Sequence, residues 1–527
     1  MFGVAQSILR SSSAMVALQA DRQPIGDYEQ SEIKTLFQGG KVLITGATGF
    51  VGKVLMESLL RKTSTEKIFI LVRAKRNKTT EERMKEMLND KVFQKLKSEN
   101  PARMSAINLI SGDCSSPGLG LSNADKEMLL NEVNIIFHGA ASVRFNENLK
   151  SATGINVMAT KMILDLARQM KNLRVVMHVS TAYSNAQFDE IVEKVYPVPE
   201  EFNLIQLANS IDKDTATKIT KDVIGDSPNT YVFTKRITED MIQRTYSDLP
   251  IGIFRPAIVI GAQEEPSPGY VDNLYGPTGL AIGIMSGVVH CLLIGTDANA
   301  DLVPVDYTVN CLIASAWETY TRFVTNHPYT NIPVYNFVPY PDSPITWGKF
   351  TDQIVESGRK GAPVNSIWHS FIFRVKSLFL YRLITAIFHF IPAWIGDTVM
   401  KLLGKKPRWT NIYEKTDEVM IVLRPFCTRS FRFSNENVQD LWRRLNKKDK
   451  QLFPFSLQNF DWRHYFDIYL QGVRIYMMKE KIDSKAAELR SKRFRLIHYS
   501  LIFSLISFWS GIIYVINKFY IQFSQKV

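Results

Sequence analysis

The stretch Lys41-Val-Leu-Ile-Thr-Gly-Ala-Thr-Gly-Phe-Val-Gly52 decides the fold. Four of its first five residues, Val42 to Thr45, are β-branched or aliphatic, so Lys41–Thr45 reads as a strand, and the pattern from Lys53 to Leu60 reads as a helix. Between them, Gly46, Gly49 and Gly52 let the backbone turn sharply and approach a ligand closely. A strand that turns through glycines into a helix presents unpaired N–H groups to an anion, which predicts a dinucleotide pyrophosphate here. Thr45, Gly46, Thr48, Gly49, Phe50, Val51 and Gly52 are the candidate contacts. The spacing is Gly-x-x-Gly-x-x-Gly, not the Gly-x-Gly-x-x-Gly of the commonest dehydrogenases.

Outward from this turn, short apolar runs alternate with helix-like segments. The runs are Ile68–Val72, Ile107–Ser111, Val133–His138, Val175–Ser180 and Ile251–Phe254, with turn-rich interruptions at Ser111–Gly120 and Gln263–Gly279. Such alternation predicts βαβ units, hence an α/β fold with a Rossmann-type, doubly wound parallel sheet. The second run ends in Arg73-Ala-Lys75-Arg76, where an NAD site usually carries a carboxylate for the ribose hydroxyls. Cations there suit the 2′-phosphate of NADPH, with Arg73 and Lys75 as candidate contacts. Asp113 after the third run and Gly139-Ala140 after the fourth are placed at the same sheet edge.

Ser180-Thr181 follows the strand at Val175–Val179, and Tyr231-Val-Phe-Thr-Lys235 sets a phenol and an ammonium on one helix face. An unperturbed phenol titrates near ~10, and a neighbouring ammonium lowers that value toward useful acid-base chemistry. A hydroxyl from Ser180 or Thr181 can hold a substrate carbonyl beside the phenol. A bare Tyr-x-x-x-Lys is common by chance; its position downstream of the glycine turn gives it weight.

Bulk properties narrow the partners. The 527 residues carry 45% hydrophobic and 22% charged side chains, a globular balance, with a net charge of +13. The excess positive charge clusters in Arg374–Arg408 and Lys485–Arg495 beside apolar runs, and no zinc-finger or RNA-binding signature occurs, so membrane lipid is expected and nucleic acid is not. Cys114, Cys291, Cys311 and Cys427 form no Cys-x-x-Cys pair, which points to a reducing, cytosol-facing compartment without a metal site. Leu496–Asn517 holds 22 residues without Asp, Glu, Lys or Arg after a basic flank, enough to cross a bilayer. The uncharged run Leu383–Gly396 has only 14 residues, suiting a helix that lies in the interface or packs in a core.

Against these residues, the chain resembles the fatty acyl-CoA reductases, extended members of the short-chain dehydrogenase/reductase superfamily. The resemblance rests on Thr45–Gly52, Val133–Asn146, Ile155-Asn156-Val157, His178–Asn185, Tyr231–Lys235, Arg255-Pro256-Ala257, Pro268–Gly279, Asp301–Asp306, and Phe455, Asp461-Trp462, Tyr465-Phe466, Gly472-Val-Arg474 and Tyr476. It covers nearly everything beyond about residue 35, and departs from the family's usual Cys and Thr at Gly139 and Ser142. It implies reduction of a long-chain fatty acyl-CoA by two NADPH to a primary alcohol through a bound aldehyde, with no metal. It implies also that Asn156 orders a water path to Lys235.

The expected organisation is a leader at 1–38, a reductase domain at 39–345, and a membrane-proximal segment at 346–408. A helical module at 409–480, a basic linker at 481–495, a transmembrane helix at 496–517 and a tail at 518–527 complete it. The 51 residues from Ser180 to Tyr231 include an insertion, Val192–Gly225, read as an acyl-chain lid or as surface decoration. The leader lacks a secretory pattern. The catalytic part is expected to face the cytosol on the endoplasmic reticulum, with peroxisome and lipid-droplet-associated membrane as alternatives. A homo-oligomer is compatible with the sequence. The rival readings are a dehydrogenase of the same superfamily acting on a sterol or nucleotide sugar, and a non-catalytic NADPH-binding scaffold.

Overall fold

Seven short runs of Val, Ile, Leu and Phe lack the polar alternation of a half-exposed strand, so each must be covered on both faces. In a computed structural model of the protein they form one parallel sheet: β1 (Lys41–Thr45), β2 (Lys67–Val72), β3 (Ile107–Ser111), β4 (Ile135–His138), β5 (Val175–Val179), β6 (Ile251–Pro256) and β7 (Val334–Phe337). The structure describes residues 30–524 except 76, 200–202, 326–330 and 482; the expected leader up to residue 29 and Arg76 lie outside the described residues. Strand order is β7-β6-β5-β4-β1-β2-β3. The order reverses between β1 and β4, the switch point where ligands bind in doubly wound sheets. β1 pairs with β2 from Lys41 opposite Lys67 and with β4 from Val42 opposite Ile135. The extended Rossmann expectation therefore holds.

Five helices matter to the site. They are α1 (Phe50–Lys62), α2 (Thr80–Leu88), α3 (Leu149–Thr153), α4 (Ala159–Ala167) and α5 (Thr230–Thr245); a π-helical turn at Gly154–Met158 joins α3 to α4. Leu43, Phe69, Ile136, Val176, Ile251 and Val334 meet Ile163, Leu164 and Ile242 in one buried core. Burying each such side chain contributes about 1.5–3 kcal/mol, which offsets the ordering of the parallel strands.

The chain divides into two compact units that interleave in sequence. The first holds the sheet and comprises residues to Tyr270, Asp301–Ile345 and Ser430–Asp461. The late piece Ser430–Asp461 covers the sheet's edge: Asn437 Nδ2 donates to the Val334 carbonyl at 2.9 Å, and Asn336 Nδ2 donates to that of Ser434 at 2.8 Å. Phe453 and Phe455 thus belong with the sheet, and Trp462, Tyr465 and Phe466 with the other unit, so the segment 409–480 is shared.

The second unit comprises Val271–Ala300, Thr346–Arg429 and residues from Trp462 onward. Its interior is aromatic: Phe350 lies 5.1 Å from Phe466, which lies 5.5 Å from Trp462, ring centre to ring centre. Two stretches have the length and apolarity to cross a membrane, Leu378–Leu402 with mean hydropathy 1.6 and Lys485–Lys518 with 1.8. The second belongs to a continuous helix, Ser484–Ser524, whose apolar window is entirely exposed, which excludes the packing of a core helix. Leu378–Leu402 also points its large side chains outward, with Phe379 76%, Trp394 68% and Leu402 82% exposed. Both need a covering that water does not supply.

Candidate active site

The C-terminal ends of β1, β4 and β5 converge on one cradle. Gly46 takes φ +78°, and a Cβ there would sit 2.8 Å from the Gly139 carbonyl carbon and 2.9 Å from the Ala140 nitrogen. A Cβ on Gly52 would collide with the Gly46 carbonyl oxygen. These glycines are thus demanded by backbone approach. Gly49 caps α1 without a side-chain bond, and the first turn from Phe50 through Val51 and Gly52 carries no acid, so its free amides and the helix dipole suit a pyrophosphate. Thr45 locks the floor of the cradle: its Oγ1 accepts from Ala140 N at 3.2 Å and contacts His138 Nδ1 at 2.7 Å.

At the adjacent edge, Arg73 is exposed and lies 3.8 Å from Asp113, whose other oxygen accepts from Ser115 N and Oγ. Lys75 exchanges backbone bonds with Lys78 in a small turn. Sequence reasoning missed Arg83 on α2. Its guanidinium donates to the Arg73 carbonyl and, at 3.3 Å, to Thr48 Oγ1, between the glycine turn and the end of β2. Only the crossing of α2 over that edge brings it there, ten residues past Arg73.

Across the cradle, Tyr231 and Lys235 stand one turn apart on α5. The Thr181 hydroxyl accepts from Tyr183 N at 3.3 Å and lies beside the Tyr231 phenol. Burial raises the phenol pKa well above its ordinary value, against the lowering by Thr181, and the Glu239 charge adds to the rise. Lys235 is 2% exposed and donates to the Val179 carbonyl at 2.7 Å; burial pushes it down to about 8, with Glu239 acting the other way. Ser180 is turned away from the phenol, donating to Glu239 Oε1 at 2.5 Å. Of the two hydroxyls that the sequence offers, the one beside the phenol is that of Thr181.

Asn156 sits in the π-helical turn. Its side chain accepts from Ser142 N at 2.8 Å and donates to Thr234 Oγ1 at 2.9 Å, while its carbonyl accepts from Thr160 at 2.8 Å and Thr238 at 3.1 Å. It ties the loop after β4 to α5. His138 lies behind, bonded to Thr45 and to Thr160 at 2.9 Å, its pKa held near about 3 by burial and then by Lys235. The insertion is not free: the helices Leu204–Ser210 and Lys213–Ile224 lie on α3, with Leu204 buried among Leu149, Val157, Phe233 and Ile237.

The comparisons with known proteins agree with this geometry. Residues 44–312 and 388–480 match two sequence profiles described as "Male sterility protein", the first being that family's NAD-binding domain. The chain is 36% identical over 519 residues to the fatty acyl-CoA reductase wat of Drosophila melanogaster, covering 98% of this chain and 99% of that one. It is 37% identical over 470 residues to human fatty acyl-CoA reductase 1, covering 89% and 90%. The chain belongs to the fatty acyl-CoA reductase family. Among solved structures, the terminal reductase domain of the myxalamid biosynthetic pathway superposes with TM-score 0.53 at 19% identity, covering 84% of this chain and 92% of that one. A reductase domain of a Mycobacterium tuberculosis non-ribosomal peptide synthetase superposes with TM-score 0.53 at 16%, covering 86% and 97%. Both likenesses are of fold. The match of residues 44–312 to an NAD-binding domain supports a nicotinamide cofactor at this cradle.

One further residue of the family-like motif Asp301–Asp306 bears on the turn after Thr181. Tyr183 donates to Asp301 Oδ2 at 3.3 Å, while Asp301 Oδ1 is buried with no partner among the described residues. Burial pushes Asp301 up to about 7, so the folded protein binds a proton there that the unfolded chain releases near its ordinary value of 3.8. A raised carboxyl pKa stabilises the fold below the unfolded value, and this contribution is lost as pH rises toward 7. Asp301→Asn is therefore expected to stabilise the protein at pH 8, by on the order of 2–4 kcal/mol, and far less at pH 4, as read by thermal unfolding at the two values.

Proposed function

We propose that the protein reduces long-chain fatty acyl-CoA to the primary alcohol through a bound aldehyde, with NADPH as reductant. The observation that carries this reading is the placing of Tyr231 and buried Lys235 one turn apart on α5 against the end of β5, where Lys235 Nζ donates to the Val179 carbonyl at 2.7 Å and Thr181 lies beside the phenol. Thr45–Gly52, Gly139 and Ala140 would hold the dinucleotide, and the nicotinamide supplies hydride when bound.

The chain's own residues do the rest. Thr181 and Tyr231 donate hydrogen bonds to the carbonyl oxygen as negative charge develops on it, and the Lys235 ammonium favours the phenolate left after proton donation. In the first reduction, collapse of the thiohemiacetal expels CoA as thiol and leaves the aldehyde. In the second, Tyr231 protonates the alkoxide to give the alcohol. Asn156 holds the loop after β4 against α5, which keeps both hydroxyls in register.

NADPH preference is assigned to Arg83 together with Arg73. Arg83 faces Thr48 with no carboxylate partner among the described residues, and Arg73 is exposed beside it. Two cations at this edge suit the 2′-phosphate.

The exposed apolar helices support attachment to a membrane, with lipid as the covering they require. Lys485–Lys518 spans it, and Leu378–Leu402 lies in the interface, its Trp394 among lipid headgroups. The denser basic flank, Arg490, Lys492, Arg493 and Arg495, supports a cytosolic position for the catalytic part, where NADPH and acyl-CoA occur. The endoplasmic reticulum is the membrane we favour.

Three outcomes test the reading. Tyr231→Phe and Lys235→Ala are each expected to lose about 10²–10⁴-fold in turnover of palmitoyl-CoA while still binding NADPH, measured by NADPH oxidation and by fluorescence titration. A Tyr231→Phe protein with wild-type turnover removes the acid-base assignment. Arg83→Glu and Arg73→Glu should raise the KM for NADPH more than about tenfold and change that for NADH much less; equal effects on the two cofactors remove these residues from the phosphate site. Truncation after Lys485 should release the protein under carbonate extraction, and retention would transfer the attachment to Leu378–Leu402.

A further inference from the structure

Behind Ser180 lies an ion pair that the acid-base reading does not use. Glu239 is one turn beyond Lys235 on α5, 1% exposed, and Arg255 on β6 is fully buried. The guanidinium grips the carboxylate in a fork, Nε to Oε1 at 2.9 Å and Nη2 to Oε2 at 2.6 Å. The same Oε1 accepts from Ser180 Oγ. Arg255 also reaches outward, donating to the carbonyls of Val192 at 3.1 Å and Lys194 at 2.9 Å, where the insertion begins. Glu193, between them, accepts from Asn336 N at 2.9 Å and Asn437 N at 2.6 Å. Taking a carboxylate and a guanidinium out of water costs several kcal/mol per ion unless geometry returns it, so a pair buried this deeply is a poor device for stability alone.

We propose that Glu239 is a positioning residue of the reductase: it holds the Ser180–Thr181 turn against Tyr231, while Arg255 cancels its charge behind the Tyr231–Lys235 pair. The proposal rests on the acid-base reading of that pair. Ser180 is the residue before Thr181, so a fixed Ser180 hydroxyl fixes the backbone from which the Thr181 hydroxyl reaches the phenol. An error near 1 Å in such a group costs about a hundredfold in rate. The charged and titratable groups facing the Tyr231–Lys235 pair are Glu239 on α5, His138 on β4 and His178 on β5, with Arg255 on β6 behind Glu239 and Glu193 beyond Arg255 in the insertion. Burial and Lys235 keep both histidines neutral, so the balance rests on Glu239 and Arg255.

The test uses the full chain in detergent, with kcat, KM for palmitoyl-CoA, NADPH affinity and the pH–rate profile for Glu239→Gln, Glu239→Gln with Arg255→Met, Ser180→Ala and Tyr231→Phe. In Glu239→Gln the carboxylate whose charge raises both the Tyr231 and the Lys235 pKa is gone, so the alkaline limb of the profile moves to lower pH. The kcat falls about ten- to a hundredfold, with KM and NADPH affinity within about twofold of wild type. The double substitution lacks the same carboxylate, so its limb stays at the lower pH beside that of Glu239→Gln, a shift that a merely structural role would not produce. An unmoved limb with kcat within about twofold of wild type overturns the proposal. Should Glu239→Gln not accumulate, Ser180→Ala reads the contact from its other side: kcat about tenfold lower with the limb unmoved supports the proposal, and wild-type kcat overturns it. An inactive Tyr231→Phe beside an unaffected Glu239→Gln removes the positioning role alone; an active Tyr231→Phe removes the acid-base reading itself.

Discussion

The parallel pairing of β1 with β2 on one side and β4 on the other is the constraint on which the rest depends. It brings strand ends from distant parts of the chain to one edge and leaves a gap there because neighbouring connections diverge. The gap is useful only if the turn leaving β1 is thin. Gly46 supplies that thinness, since its α-carbon is pressed against the backbone of Gly139 and Ala140. Every cofactor-side residue is a consequence: Thr45 pins the loop after β4, and α1 leaves the turn with free amides.

The second organising fact is how much charge the interior holds on the opposite side. Lys235, Glu239 and Arg255 are all nearly inaccessible, and each is satisfied differently. Lys235 rests on a strand carbonyl, Glu239 takes a hydroxyl and a fork of N–H groups, and Arg255 spends its remaining donors on the insertion. A hydrocarbon interior would be cheaper to bury, yet it could not tune a phenol and an amine. On the proposed acid-base reading, function and burial meet in the same few residues.

Much of this was legible in the sequence because local rules governed it. The glycine turn, the strand rhythm and the Tyr231–Lys235 spacing are short-range patterns, and the sheet order follows from them. Lys235 and Glu239 share the same helical spacing, so the carboxylate was also in plain sight; Arg255 was visible as part of a motif, but its pairing with Glu239 from β6 was not legible. Arg83 depends on the path of α2, which no spacing encodes. Ser180 and Thr181 both meet α5, Ser180 at Glu239 and Thr181 beside Tyr231, a division that depends on a buried acid and not on spacing. The grouping of Phe453 with the sheet and Trp462 with the other unit is a tertiary fact, since both sit in one aromatic-rich stretch.

The interleaving of the two units bears on how the chain is made. Ser430–Asp461 covers the edge at β7, yet it is synthesised after Thr346–Arg429, which belongs elsewhere. A nascent chain emerging from the ribosome therefore carries an unfinished sheet with an open border through the whole of that interval. Unpaired borders of this kind are where chains adhere to one another. The reductase unit cannot ripen as an independent N-terminal module. Its completion waits for the same stretch of translation that delivers the apolar C-terminal helix, so maturation of the sheet and exposure of that helix fall close together in time.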